Sequence, residues 1–107
     1  MKQWKRVCPL DEIALGTTLA IELADEELLI CRVGEDEVFA VENVCTHDDG
    51  ALDDGPLDGA VIECPRHGAR FDVRDGRVER LPASAPLTTF PARIGADHWI
   101  EVELEER

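Results

Sequence analysis

Two short segments constrain this chain most: Cys45-Thr46-His47 and Cys64-Pro65-Arg66-His67-Gly68. Each sets one thiol and one imidazole in a tight stretch of backbone. Cysteine and histidine are the soft and borderline ligands of iron and zinc. Cys45, His47, Cys64 and His67 together make a four-ligand set, enough to hold a metal centre in a small protein. Residues 48–63 between the pairs are rich in Gly and Asp and carry Pro56, which favours loop and turn over helix.

The chain has 107 residues, so it is expected to be one domain, 1–107, with no room for a catalytic domain beside a metal domain. Hydrophobic residues make up 44%, which allows only a thin core that a bound cluster would reinforce. Residues 1–10 carry Lys2, Lys5 and Arg6 with no apolar run behind them, and nothing reads as a signal peptide or a membrane span. A cytoplasmic, reducing setting is the expectation, and there paired cysteines serve as ligands more than as disulfides. The net charge of −13 argues against nucleic acid and against an anionic membrane surface. It suits steering toward a basic protein partner, although solubility alone accounts for such a charge equally well.

The remaining segments are short and strand-like. Residues 4–8 alternate, and residues 17–23 place Leu19, Ile21 and Leu23 on one face with Glu22 opposite. Residues 28–33 form a nearly continuous apolar run, fit for a strand covered on both faces. Residues 38–41 follow a turn at 34–36. Residues 61–63 lead into the second ligand pair. Residues 70–73 and 77–78 flank Asp75-Gly76, a strong hairpin signal. Residues 88–94 and 99–104 close the chain. Only residues 11–15 suggest a helical turn, ended by Gly16. The pattern predicts an all-β, antiparallel barrel or sandwich, with the ligand stretches on loops at strand ends. Residues 81–87, with Pro82 and Pro86, read either as a plain connection or as a cover that keeps water off one side of a metal centre.

The ligand spacing does not by itself exclude mononuclear zinc. In an extended loop, residues two apart face the same side, so Cys45 and His47 can reach one centre together. A diiron cluster fits better, because two irons can be ligated separately: one by Cys45 and Cys64, the other by His47 and His67.

Cys45-x-His47 followed by Cys64-Pro65-x-His67-Gly68 resembles the Rieske [2Fe–2S] motif, with Leu52 and Gly55 where Rieske ferredoxins carry Leu and Gly. The resemblance extends over most of the chain. It implies antiparallel sheets, with a small cluster-binding subdomain of about residues 43–73 inserted between strands of a larger base, and one [2Fe–2S] cluster per chain. Replacing two thiolates with two neutral imidazoles removes about two negative charges from around the irons and raises the potential above that of all-cysteine ferredoxins. High-potential respiratory members carry a disulfide between the cluster loops. The matching positions here are Ala51 and Arg66, so that bridge is absent. Ala69 and Phe71 stand where those members use hydroxyl donors to sulfur. Fewer donors and the acidic neighbours Asp48, Asp49, Asp53 and Asp54 put the expected potential at the low end of the range, roughly −150 mV.

Cys8 and Cys31 are expected to be buried free thiols, His98 a surface or structural residue, and Trp4, Trp99, Phe39 and Phe90 core residues. Asp48, Asp49, Asp53, Asp54 and Asp58 read as solvated turn residues or as an acidic collar for a basic partner, balanced locally by Arg66 and Arg70. The chain has no second metal set and no Gly-rich nucleotide loop. The resemblance therefore implies a one-electron carrier rather than an enzyme. It would pass electrons from a flavin-dependent reductase to a terminal non-haem iron oxygenase, and is expected to be a monomer. The alternatives are a redox subunit resembling the small subunit of nitrite reductase and a zinc-stabilised binding module.

Overall fold

The computed structural model describes residues 1–83 and 85–105. Eleven strands run in chain order: β1 Lys2–Pro9, β2 Thr18–Leu23, β3 Glu26–Gly34, β4 Glu37–Glu42, β5 Leu57–Asp58, β6 Val61–Glu63, β7 Arg70–Asp72, β8 Val78–Arg80, β9 Thr89–Phe90, β10 Ala92–Ile94 and β11 Trp99–Glu105. They form three antiparallel sheets among the described residues, ordered β1-β11-β10, β2-β3-β4-β9 and β5-β6-β7-β8. The expectation of an all-β antiparallel fold holds. None of the described helices is long and apolar enough to cross a membrane.

The apolar run in β3 explains how the sheets stack. Leu28 and Ile30 point into one core with Val38, Ala40, Ile100, Val102 and Leu104. Leu29 and Cys31 point the other way, into a second core with Val41, Cys45, Leu52, Ile62, Cys64 and Phe71. Alternate residues of one strand serve opposite faces, so an unbroken apolar run makes β3 the middle of the molecule. The second core is the one that holds Cys45 and Cys64, the two cysteines of the expected ligand set.

The chain leaves the base at Glu42, builds the β5–β8 sheet and both ligand loops, and returns at β9 to pair with β4. The Glu42 amide donates to the Thr88 carbonyl at 2.9 Å, closing that excursion where it starts. Residues 88–94 were expected to be one strand, but Pro91 splits them. Proline has no N–H for a ladder: β9 pairs with β4, β10 pairs with β11, and the break carries the chain between sheets. The helical turn expected at 11–15 is a single 3-10 turn over Leu10–Glu12, and Gly16 lies beyond it with φ +77°.

The tryptophans are not core residues. Trp4 and Trp99 are half-buried on the outer face of the β1–β11 sheet, with the Arg93 guanidinium 3.9 Å from the centre of the Trp4 ring and Arg6 4.3 Å from that of Trp99. The inner face is already filled by Ile100, Val102 and Leu104, and an arginine over the indole covers its apolar surface from outside. Phe39 and Phe90 are partly buried and pack against the two cores.

The β7–β8 hairpin forms around Asp75-Gly76 as expected. Asp72 shapes it: its carboxylate accepts from the Arg74 amide at 2.9 Å, Arg74 Nη2 at 2.7 Å and Arg77 Nη2 at 3.2 Å. Asp72 is 1% exposed, and the Arg74 guanidinium holds its carboxyl below the ordinary value of 3.8. A depressed folded value means that the contribution to stability is complete above 3.8 and fades as pH falls through the folded value. Asp72→Ala is therefore expected to cost about 2 kcal/mol at neutral pH. In thermal melts, the gap to the native chain should narrow below pH 4.

Candidate metal centre

The two ligand loops are built on the same backbone. In the first, the Cys45 amide donates to the Gly50 carbonyl at 2.7 Å and the Asp49 amide donates to the Cys45 carbonyl at 2.8 Å. In the second, the Cys64 amide donates to the Ala69 carbonyl at 2.7 Å and the Gly68 amide donates to the Cys64 carbonyl at 3.1 Å. The fourth residue after each cysteine has positive φ: +62° at Asp49 and +76° at Gly68. Asp and Gly both tolerate that left-handed conformation. The cysteine occupies the first position in both loops, but the histidine is two residues on in the first and three residues on in the second.

This arrangement sorts the four side chains by type. Cys45 and Cys64 are fully buried at the base of the loops, in the core shared with Leu52, Ile62 and Phe71. The sulfurs of Cys45 and Cys64 and a carboxylate oxygen of Asp48 all lie within 4.8 Å of one another. His47 and His67 are exposed above them, with ring centres 5.2 Å apart and planes at 87°. All four residues singled out in the sequence are thus brought together, sulfur inside and imidazole outside.

The chemistry of this donor set suits a cationic metal centre. Burial pushes the Cys45 thiol above its ordinary pKa, and Cys64 beside it pushes the same way. A buried thiol such as Cys45 resists ionisation alone, whereas coordination to metal stabilises the thiolate. The backbone N–H groups of His47 and Asp48 aim at the Cys45 sulfur and favour its charged form. Cys8 and Cys31 contrast with this pair. Both are free and buried, and burial pushes the Cys31 thiol up to about 12, so it behaves as a small apolar side chain. His98 lies at the surface with φ +64°, in the turn between β10 and β11 rather than in either loop.

The surrounding residues hold the loops in place. Asn43 Oδ1 accepts from the Leu52 amide at 2.8 Å, and its Nδ2 donates to Asp53 at 3.3 Å, tying the first loop's exit to its entrance. Thr46 Oγ1 donates to the Ala85 carbonyl at 2.6 Å, which docks the 81–87 segment onto the first loop. Ala83 and Leu87 are buried in the same core as the cysteines, so this segment is a cover; Ser84 lies outside the described residues. Gly55 approaches the Glu63 carbonyl so closely that a Cβ would lie 1.7 Å from the oxygen. Gly68 has open space but positive φ, and Gly50 lies under the Arg66 guanidinium.

Asp48 is not a free turn residue. It forms a two-pronged ion pair with Arg66, while Asp49, Asp53, Asp54 and Asp58 stay exposed. Arg70 is likewise engaged, with Glu63 at 2.8 Å. Sequence reasoning missed Asn43, Thr46 and the Asp48–Arg66 pairing. The only signal was complementary charge in two loops already expected to meet.

The Rieske [2Fe-2S] domain family matches residues 3–91. Among curated proteins, the ferredoxin component of biphenyl 2,3-dioxygenase from Rhodococcus jostii strain RHA1 is 40% identical over 100 residues, covering 94% of this chain and 92% of that protein. Among solved structures, the ferredoxin of carbazole 1,9a-dioxygenase from Nocardioides aromaticivorans IC177 superposes with a TM-score of 0.88 at 32% identity, covering 94% of this chain and 96% of that one. A chain in a complex of reduced oxygenase and oxidised ferredoxin of carbazole 1,9a-dioxygenase also gives 0.88, at 33% identity, covering 97% and 95%. The family match decides between the zinc and diiron readings left open by the ligand spacing. The chain belongs to the Rieske [2Fe-2S] domain family, and its cofactor is a [2Fe–2S] cluster.

Proposed function

We propose that this chain is the soluble ferredoxin component of a multicomponent oxygenase system, taking single electrons from a flavin-dependent reductase and delivering them to a terminal non-haem iron oxygenase. The observation that carries this reading is the split between two buried sulfurs and two exposed imidazoles in a chain with no second metal-ligand set among the described residues. Cys45 and Cys64 would hold the inner iron, and His47 and His67 the outer one. The cluster supplies a one-electron couple whose potential is raised by its neutral imidazole ligands. The chain's residues do the rest. The cysteines anchor the centre to the core, the 81–87 cover and Leu52 exclude water from the sulfur side, and the imidazole edges offer a short route to a docked partner.

The relatives support the partners: their names place them in biphenyl and carbazole dioxygenase systems, and one related ferredoxin is described in complex with its oxygenase. The protein is read as a single domain over 1–107, with the cluster subdomain at about 43–73, acting as a cytoplasmic monomer. Docking is expected to be brief and governed by charge, since the chain carries −13. In a reconstituted system, the electron-transfer rate to the oxygenase should fall about tenfold or more between low and high salt. A rate indifferent to salt would contradict charge steering, and failure to accept electrons from any flavin reductase would contradict the carrier role.

A further inference from the structure

The two loops share a backbone pattern but not a ligand position, and this leaves one place over in each. His47 takes the second position after its cysteine, where the other loop has Arg66. His67 takes the third, where the first loop has Asp48. These two non-ligand positions meet. Arg66 Nε donates to Asp48 Oδ2 at 2.5 Å, Nη2 donates to Asp48 Oδ1 at 3.0 Å, and Nη1 donates to the Ala51 carbonyl at 2.9 Å. Asp48 Oδ1 also accepts from the Gly50 amide at 3.0 Å, which fixes the carboxylate to its own loop. Its Oδ2 lies 3.5 Å from His67 Nδ1. One guanidinium thus spans the gap between the loops, with every bond from the second loop to the first, and the two charges sit one residue from each imidazole.

We propose that Arg66 and Asp48 form a non-covalent clamp that positions the two cluster-binding loops, and that their opposite charges act on the cluster's potential in opposite senses. The pair joins two loops that no disulfide links, since Cys45 and Cys64 are both free. A fork of parallel charge-assisted bonds gives geometric definition that a lone lysine contact lacks. The proposal rests on the four-ligand reading above. Arg66 and Asp48 are positioning residues and touch no iron in it.

The test compares the cluster-loaded native protein with Arg66→Gln, Asp48→Asn, the double variant and Arg66→Lys. Three quantities are measured: the rate of cluster loss to excess ferrous chelator, the midpoint potential, and the paramagnetic resonance spectrum of the reduced form. Removing either partner, or both, should speed cluster loss roughly ten- to a hundredfold, the usual effect of losing a group that supports metal ligands. Arg66→Lys should restore retention only in part. The potential should fall in Arg66→Gln, where the carboxylate is left uncompensated, rise in Asp48→Asn, and return near the native value in the double variant. Fluorescence of Trp4 and Trp99, both on the far β1–β11 sheet, reports folding of the base separately from the loops. If Arg66→Gln fails to fold, Asp48→Asn and Arg66→Lys still decide. Unchanged retention in the folded variants, or shifts of one sign in both single variants, would overturn the clamp. A native protein without a mixed nitrogen and sulfur signature would instead overturn the ligand reading.

Discussion

Gly55→Ala is expected to leave the chain nearly without cluster. The new methyl would lie 1.7 Å from the Glu63 carbonyl oxygen and 3.2 Å from that of Leu52, both backbone atoms. Neither can yield alone. The Gly55 amide donates to Leu52 at 2.9 Å, the Glu63 amide donates to Pro56 at 3.1 Å, and Glu63 is paired with Arg70 across the β6–β7 ladder. To admit a Cβ, the end of the first loop and the strand leading to Cys64 must part by about an ångström or more. Overpacking usually costs about 1–3 kcal/mol, but here the displaced backbone leads directly into Cys64, a proposed ligand. Iron and labile sulfide in the purified variant should drop to about a tenth of native or less. A variant with native iron and sulfide would show that the two segments separate freely.

Cys64→Ala should abolish the cluster, while Cys31→Ala should keep it. Both thiols are fully buried and belong to the same core, so burial does not distinguish them. Position does. Cys64 opens a ligand loop and lies with Cys45, whereas Cys31 sits within β3 opposite Phe39 with its sulfur 4.0 Å from the Leu29 carbonyl. In the proposed ligation, losing one of two thiolates would remove half the sulfur ligation of the inner iron, and among the described residues no other thiol lies with Cys45. Losing Cys31 removes one small buried group at about 1 kcal/mol, with the visible spectrum intact. Residual cluster absorption in Cys64→Ala, or its loss in Cys31→Ala, would reassign the ligands.

Particular residues show what could be read from the chain and what could not. The run from Leu28 to Cys31 announced a strand covered on both faces, and Asp75-Gly76 announced its hairpin, because apolar periodicity and turn chemistry are local properties. Cys45, His47, Cys64 and His67, which the fold brings together, stand in two short local segments and stood out for the same reason. The tryptophans were misplaced because hydrophobicity does not say whether an indole will find a core or an arginine: Trp4 and Trp99 found Arg93 and Arg6. The break at Pro91 depends on where two sheets diverge, which one strand's pattern does not contain. Asp48 looked like a turn residue because its partner lies 18 positions away. Gly55 was recognisable as a motif glycine, but its reason, a carbonyl arriving from a strand beyond it, exists only in the folded chain.

The central claim is that one pair of irons is held by sulfur on the inner side and nitrogen on the outer. Paramagnetic resonance of the dithionite-reduced protein tests it most directly. The account predicts a rhombic signal with an average g below that of all-cysteine ferredoxins, because imidazole ligation makes the outer iron unlike the inner one. A signal matching all-thiolate ligation, or purified and reconstituted protein without iron, would contradict it.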